Sequence, residues 1–187
     1  TLCRFTTVEK NVALMVEAGI VPAFIDMLQT RDQDIIKHCC AALCRLANEG
    51  RSAVTITQGA VPHVIAGCGE GSDTATRQSC CAVLSAISAH ESCRQPLCEM
   101  GALHALMSLA GDRTADDTTR LRCAVAFANL SNDPSVQEEM VESGIVPVVA
   151  ELSNSYCEEN QLCCARALCN LSSRNGCEEK VVQQGGV

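Results

Sequence analysis

The chain has 187 residues, of which 47% are hydrophobic and 2% aromatic, with no Trp, one Tyr, three Phe and 15 Cys. That length allows one domain with a substantial core, built from aliphatic side chains and cysteine rather than aromatic rings. A net charge of -8 and an isoelectric point near 4.9 repel phosphate backbones and anionic lipid, which argues against nucleic acid as a partner. Because no apolar run of about 18 residues and no signal-peptide pattern is visible, we expect no membrane insertion.

A junction of one glycine followed by apolar residues recurs along the chain. Its copies begin at Gly19, Gly59, Gly101, Gly144 and Gly185, which lie 40 to 43 residues apart. Proline stands three residues after the glycine in three copies, and His104 takes that place in a fourth. Glycine tolerates left-handed backbone at the end of a helix, and proline is harmless in the first turn of the next helix. Each junction therefore predicts the end of a short first helix and the start of a second.

A second motif, rich in cysteine and alanine, keeps the same spacing within each unit. Its copies are Cys39–Leu43, Cys80–Leu84, Cys123–Phe127 and Cys164–Leu168. Carboxylates or capping residues precede each copy, at 32–34, 72–73, 116–117 and 158–159, which is typical of a helix start. The pattern predicts a third, longer helix in every unit, with repeats at 8–48, 49–90, 91–132 and 133–174. Residues 1–7 are predicted to end a preceding repeat, and residues 175–187 to begin a further one.

The junctions and helix ends resemble the armadillo repeat family. The residues that carry the resemblance are EAG-IVP at Glu17–Pro22, ESG-IVP at Glu142–Pro147, ANLS at 128–131 and CNLS at 169–172. A period of about 40 to 47 residues is shared by armadillo and HEAT arrays, and the short first helix with its glycine break favours armadillo. The resemblance covers essentially the whole chain. It implies an all-α, right-handed superhelical solenoid of three-helix repeats.

In that family the third helices line a concave groove, where an Asn near the end of each helix often binds the backbone of an extended ligand. The matching positions are Arg4, Arg45, Ala86, Asn129 and Asn170. Only Asn129 and Asn170 keep the family's residue, so the resemblance implies backbone binding for those two. The importin-alpha branch carries a Trp one turn earlier, where this chain has Val125 and Arg166. Binding of a nuclear-import signal is therefore not expected.

Helical geometry identifies the groove-facing side independently, because positions 0, 4, 7 and 11 residues before the Asn site share one side of a helix. The third-helix segments 35–47, 76–88, 119–131 and 160–172 contain no Asp or Glu, and their basic residues are Lys37, Arg45, Arg77, Arg120, Arg122 and Arg166. A basic layer in an acidic protein predicts a ligand rich in Asp, Glu or phosphate. This chemistry resembles the groove of beta-catenin more than that of importin-alpha. The alternative is that arginine stems cover apolar surface while acids gather at helix starts.

Paired cysteines recur in register at 39–40, 80–81 and 163–164. The chain has no C-x-x-C motif, and neighbouring helix axes about 8 to 10 Å apart disfavour a disulfide between equivalent positions. We predict that most cysteines fill the core, with Cys68, Cys157 and Cys177 at exposed positions near loops. The four histidines are spread over three of the predicted units and share no site with a nucleophile. No metal, cofactor or catalytic residue is therefore predicted.

The sequence predicts a protein-binding scaffold or adaptor, not an enzyme, whose groove holds an extended acidic or phosphorylated segment of a partner. The candidate groove residues are Arg4, Lys37, His38, Arg45, Arg122, Asn129, Arg166 and Asn170. A nuclear-transport adaptor of the importin-alpha type, the recruiting module of a ubiquitin ligase and a cytoskeletal or flagellar assembly are open alternatives. Cysteines inside apolar helices favour a reducing compartment, the cytoplasm or the nucleus.

Overall fold

The computed structural model describes residues 14–173 and 178–185. Within those ranges the chain is entirely helical apart from turns and short connections, which confirms the predicted all-α class. The helices are α1 (Ile20–Met27), α2 (Gln33–Leu46), α3 (Gly50–Gly67), α4 (Thr74–Ser88), α5 (Glu91–Glu99), α6 (Ala102–Gly111), α7 (Asp117–Leu130), α8 (Pro134–Glu142), α9 (Ile145–Ser153), α10 (Glu158–Ser172) and α11 (Glu178–Gln183).

The chain divides into two compact units, Thr1–Ala102 and Leu103–Val187. In the first unit α2 packs along α4, and α3 packs against both α1 and α4. The side chains of Leu43, Leu46, Ile56, Leu84 and Ile87 are fully buried there. Each helix thus buries its apolar side against the helices next to it, as a repeat array requires.

The second unit follows the same plan. Helix α7 packs along α10, and α9 packs against both of them. Helix α8 contacts α9, and α11 contacts α10. Phe127 and Met140 are fully buried, and Phe127 is the largest of the fully buried side chains among the described residues.

The predicted third helices begin where the carboxylates indicated. Asp32, Asp73 and Asp116 precede α2, α4 and α7, and the carboxylate of each accepts a hydrogen bond from a backbone N–H of the first turn. Such a cap stabilises a helix by about 1 kcal/mol. Helix α10 begins after Cys157 without a side-chain cap and instead carries Glu158 and Glu159 in its first turn, where the helix dipole favours negative charge.

Of the four predicted glycine breaks that have described residues on both sides, three are confirmed and one is wrong. Gly19, Gly101 and Gly144 have φ values of 70°, 87° and 77°, and each directly precedes a helix. Helix α3, however, continues from Gly50 to Gly67 through Gly59 and Pro62. A Cβ on Gly59 would lie 2.7 Å from Cδ1 of Ile25, so this glycine permits close packing of α3 on α1 rather than a turn.

The predicted repeat boundaries can be placed beside the helices. Helices α5, α6 and α7 lie within the predicted repeat 91–132, and α8, α9 and α10 lie within 133–174. The predicted end of a preceding repeat at 1–7 lies outside the described residues. Of the predicted further repeat at 175–187, the structure describes residues 178–185, which comprise α11 and Gly185 with a φ of 82°.

Candidate peptide-binding surface

In the first unit the predicted groove-facing stripe of α2 is open to solvent. Asp34, His38, Ala41 and Arg45 are all exposed. On α4 the equivalent stripe is more covered, because Ala82 is buried and Ser79 and Ala86 are half-buried. We call the stripes on α2 and α4 the third-helix face of the first unit, and those on α7 and α10 the third-helix face of the second unit.

The charge of Lys37 is already engaged in ion pairs within the protein. Its ammonium group lies 2.7 Å from a carboxylate oxygen of Asp34 and 3.4 Å from one of Asp73. The hydrogen bond to Asp34 raises the pKa of Lys37, and the same bond lowers the pKa of Asp34. Hydrogen bonds from Thr76 and the charge of Lys37 lower the pKa of Asp73. Lys37 therefore links α2 to the start of α4.

Other polar contacts reinforce that link. The amide nitrogen of Gln33 donates to the carbonyl of Gly71 at 3.1 Å, and its amide oxygen accepts from the backbone N–H of Asp73 at 2.6 Å. His38 lies close by, with Nδ1 2.6 Å from the carbonyl oxygen of Asp34. The first turns of α2 and α4 are thus held together by a polar network.

In the second unit the stripe combines arginine and asparagine. On α7, Arg122, Val125 and Asn129 are half-buried, whereas on α10 Arg166 is exposed and Asn170 is half-buried. Arg122 and Arg166 take part in no ion pair with the described part of the chain. Because α7 packs along α10, these side chains lie on neighbouring helices. Arg4, the remaining predicted groove residue, lies outside the described residues.

Asn170 is held in place by the preceding repeat. Its side-chain nitrogen donates to Oγ of Ser131 at 3.1 Å and to Oδ1 of Asn132 at 2.8 Å. Both amide hydrogens are therefore used within the protein. The side-chain oxygen of Asn170 has no hydrogen-bond partner among the described residues.

Four residues that the sequence motifs do not indicate as part of this surface also determine it, namely Gln33, Asp73, Ser131 and Asn132. Each contacts a candidate residue or its network across 36 to 40 residues of sequence, which is about one repeat. The repeat period itself could have identified them, since a period of about 40 residues brings equivalent positions of adjacent repeats side by side.

The cysteines lie mainly in the core, and one prediction about them is wrong. Cys68, predicted to be exposed, is buried at the end of α3 near Cys40 and Cys80. The sulfurs of Cys40 and Cys80 are 3.7 Å apart, and every described cysteine is a free thiol. Hydrogen bonding to Cys80 and burial raise the pKa of both Cys40 and Cys68. Cys157 is half-buried, and Cys177 lies outside the described residues.

Known proteins share this repeat and this fold. Residues 9–48 match the Armadillo/beta-catenin-like repeat family. Computationally designed armadillo repeat proteins for modular peptide recognition superpose with a TM-score of 0.90 at 20% identity, covering 100% of this chain and 79% of theirs. A designed armadillo repeat protein in complex with peptide (KR)4 gives a TM-score of 0.88 at 19% identity, covering 99% of this chain and 79% of that one. Residues 9–48 thus match the armadillo repeat family, and the described part of the chain has the fold of an armadillo-repeat solenoid.

Natural relatives are longer than this chain. Rap1 GTPase-GDP dissociation stimulator 1-A of Xenopus laevis is 26% identical over 180 residues, which are 91% of this chain and 30% of that protein. Armadillo repeat-containing protein gudu of Drosophila melanogaster is 25% identical over 154 residues, which are 82% of this chain and 23% of that protein. The chain thus spans less than a third of the length of either relative. None of the helices formed by the described residues is both long and apolar enough to cross a bilayer.

Proposed function

We propose that the chain is an interaction scaffold whose third-helix faces bind an extended protein segment rich in Asp, Glu or phosphate, without chemical turnover. The observation that carries this proposal is the pair Arg122 and Arg166, which lie on neighbouring helices in segments free of Asp and Glu. Both lack an ion-pair partner among the described residues. An anionic ligand supplies the missing counter-charge.

The candidate residues are not equivalent in this proposal. A ligand carboxylate at Lys37 has to compete with Asp34 and Asp73, whereas one at Arg122 or Arg166 has no such competitor in the described ion pairs. An exposed ion pair contributes only about 0.2 to 1 kcal/mol, so affinity requires several contacts along the ligand. The charges chiefly set the rate of association and the preferred ligand.

Asn170 supplies the proposed contact with the ligand backbone. Its amide hydrogens are fixed on Ser131 and Asn132, which orients the side chain and leaves its oxygen as an acceptor. A backbone N–H of an extended peptide fits that acceptor, and the side chain is already ordered before the ligand arrives. Asn129 is the matching residue on α7.

The proposed ligand differs in charge from that of one structural neighbour. The designed armadillo repeat protein described above was solved with peptide (KR)4, which is wholly basic. Segments 35–47, 76–88, 119–131 and 160–172 contain no carboxylate to receive such a ligand, and the exposed Asp34 at the start of α2 is paired with Lys37. We therefore expect the same fold to bind the opposite charge here.

Fluorescence anisotropy with labelled peptides of equal length tests the proposal. We expect acidic and phosphorylated peptides to bind, with an affinity that falls as salt rises, and a Lys-Arg peptide to bind weakly. A variant with Arg45, Arg122 and Arg166 changed to Glu should lose that binding. Arg51→Glu, an exposed change on α3, serves as the control and should retain it. Preference for the basic peptide would contradict the proposal and favour the nuclear-transport alternative.

A small GTPase is a second candidate partner. The observation in its favour is the alignment of 91% of this chain with part of a Rap1 GTPase-GDP dissociation stimulator. Release of labelled GDP from Rap1 in the presence of the chain is the corresponding assay. Unchanged release together with no binding of Rap1 would remove this candidate.

We also propose that the protein works in a reducing compartment of the cell. Cys40 and Cys80 are buried free thiols with their sulfurs 3.7 Å apart, and closely spaced free thiols are typical of proteins kept in a reducing compartment. Alkylation of the native cellular protein, followed by mass spectrometry, should find these two cysteines as thiols. A Cys40–Cys80 disulfide in the native protein would contradict the proposed compartment.

A further inference from the structure

We propose that a cleft in the second unit is a separate binding site for a partner segment that carries an acidic and a basic side chain close together. The cleft has a volume of about 550 Å³ and lies between the connection 112–116 and the connection 154–157. Its lining includes Arg113, Asp117, Arg120, Glu151, Ser155 and Tyr156. None of these residues belongs to a third-helix face.

Both walls of the cleft are built by hydrogen bonds. On one side Asp112 accepts bonds from the backbone N–H and the hydroxyl of Thr114 at 2.8 and 2.7 Å. On the other side the carbonyl of Ser155 accepts from the amide of Gln161 at 2.8 Å, and its hydroxyl accepts from the backbone N–H of Cys157 at 3.1 Å. The two connections therefore hold a defined shape.

The charges in the cleft are not paired with one another. Arg113, Asp117, Arg120 and Glu151 take part in no ion pair or side-chain hydrogen bond with the described residues. Arg120 lies in the first turn of α7 and Glu151 in the last turn of α9. A helix dipole disfavours a cation at the N-terminus and an anion at the C-terminus, so neither charge is stabilised by its own helix. A ligand that brings both opposite charges complements the cleft.

Tyr156 gives the cleft an anchoring group. It is the only tyrosine of a chain that has no tryptophan, and its side chain is fully exposed at the cleft. Tyrosine and arginine are enriched among the residues that dominate binding energy at protein interfaces. The aliphatic stem of a ligand side chain can pack on the ring while its charged end reaches Glu151 or the arginines. The occupant is therefore assigned as a protein segment with mixed charge, not a uniformly acidic one.

The single tyrosine also provides the test. Peptides of alternating Glu and Lys, of Glu alone, of Lys alone and of Ser with Gly contain no fluorescent residue, so the emission of the intact chain reports Tyr156. We expect the Glu-Lys peptide to protect Tyr156 from quenching by acrylamide, and the other three to protect it little. Arg120→Glu should weaken this protection about tenfold or more, in line with an arginine that dominates an interface.

Two matched variants distinguish the cleft from the third-helix face of the second unit. Arg122→Glu, two residues along α7, should leave the protection of Tyr156 unchanged although it weakens binding of the acidic peptide. Glu151→Gln should also weaken the protection of Tyr156, and it changes the charge less than Arg120→Glu does. It therefore still tests the cleft if Arg120→Glu unfolds the chain. Equal protection by the all-Glu peptide, no protection by any peptide, or protection unaffected by Glu151→Gln would each overturn the proposal.

Discussion

Both units link neighbouring third helices near the helix end, and in the first unit that link is His90 Nε2, 2.6 Å from the carbonyl oxygen of Ala47. The first unit also has a charged link at the first turns. In the first unit Lys37 and Gln33 link the first turn of α2 to that of α4. In the second unit Asn170, near the end of α10, makes the link to the preceding repeat. In the proposed function Arg122 and Arg166 are consequently the residues left for a ligand. We therefore expect binding to use the basic residues that do not link one repeat to the next.

The cores of the two units differ as well. The first unit buries the thiols of Cys40, Cys68 and Cys80 and leaves the ring of Phe24 3% exposed, whereas the second unit buries the larger part of its aromatic volume in the fully buried ring of Phe127. Thiols are small and adaptable core groups, while a buried ring fills a volume that nothing else replaces. The second core therefore depends more strongly on one residue.

Phe127→Ala gives the largest expected effect. Removing a fully buried ring leaves a cavity, which costs about 3 to 5 kcal/mol in the free energy of unfolding. Cys80→Ala removes one buried sulfur atom from the first unit, so we expect a much smaller loss. Urea denaturation followed by circular dichroism measures both variants. Equal losses would contradict the difference between the two cores.

Asn170→Ala is expected to have an intermediate effect. It removes two hydrogen bonds from a half-buried amide and should lower the free energy of unfolding by about 1 kcal/mol. Binding of the acidic peptide should weaken too, since the acceptor for the ligand backbone disappears. Asn48→Ala, an exposed change just beyond α2, should alter neither quantity. An Asn170→Ala variant with unchanged stability and unchanged binding would show that this side chain contributes neither to the link between repeats nor to ligand binding.

The ion pairs of Lys37 should give the smallest effect, visible as a dependence on pH. The pKa values of Asp34 and Asp73 are lowered in the folded chain, so these carboxyls stabilise folding above their ordinary pKa of about 3.9. That contribution is lost as the pH falls through the lowered values. Lys37→Met removes the contribution of the lysine to these lowered pKa values. The free energy of unfolding of the variant should therefore fall less steeply as the pH is lowered. An identical acid limb in both proteins would mean that these exposed pairs contribute nothing measurable.

The repeat and its helix starts could be predicted because each depends on local chemistry that recurs. Asp32, Asp73 and Asp116 cap their helices as expected, and Gly19 and Gly144 adopt the left-handed backbone expected of a helix junction. The prediction for Gly59 is wrong because a glycine can serve either a helix break or the close packing of two helices, and the sequence motif does not distinguish them. The close approach of Ile25 shows that Gly59 serves helix packing.

The details of the surface could not be predicted, because they depend on distances between repeats. The sequence identifies Lys37 as a basic residue of a third helix. Only the structure shows that its ammonium group lies between the carboxylates of Asp34 and Asp73. Burial of Cys68 likewise follows from how the end of α3 meets α4 and not from its neighbours in sequence. The cleft at Tyr156 joins two connections that are about one repeat apart, and neither has a recognisable motif.

Calorimetric titration of one acidic peptide into three double variants tests most directly whether the second unit provides the binding charge. The variants are Arg122→Glu with Arg166→Glu, Lys37→Glu with Arg45→Glu, and Arg31→Glu with Arg51→Glu as a control in exposed positions outside the third helices. We predict the largest loss of affinity, about tenfold or more, for the first variant, a smaller loss for the second and little change beyond the general charge effect for the third. Equal losses in all three would contradict the assignment, because they would show that net charge alone governs binding.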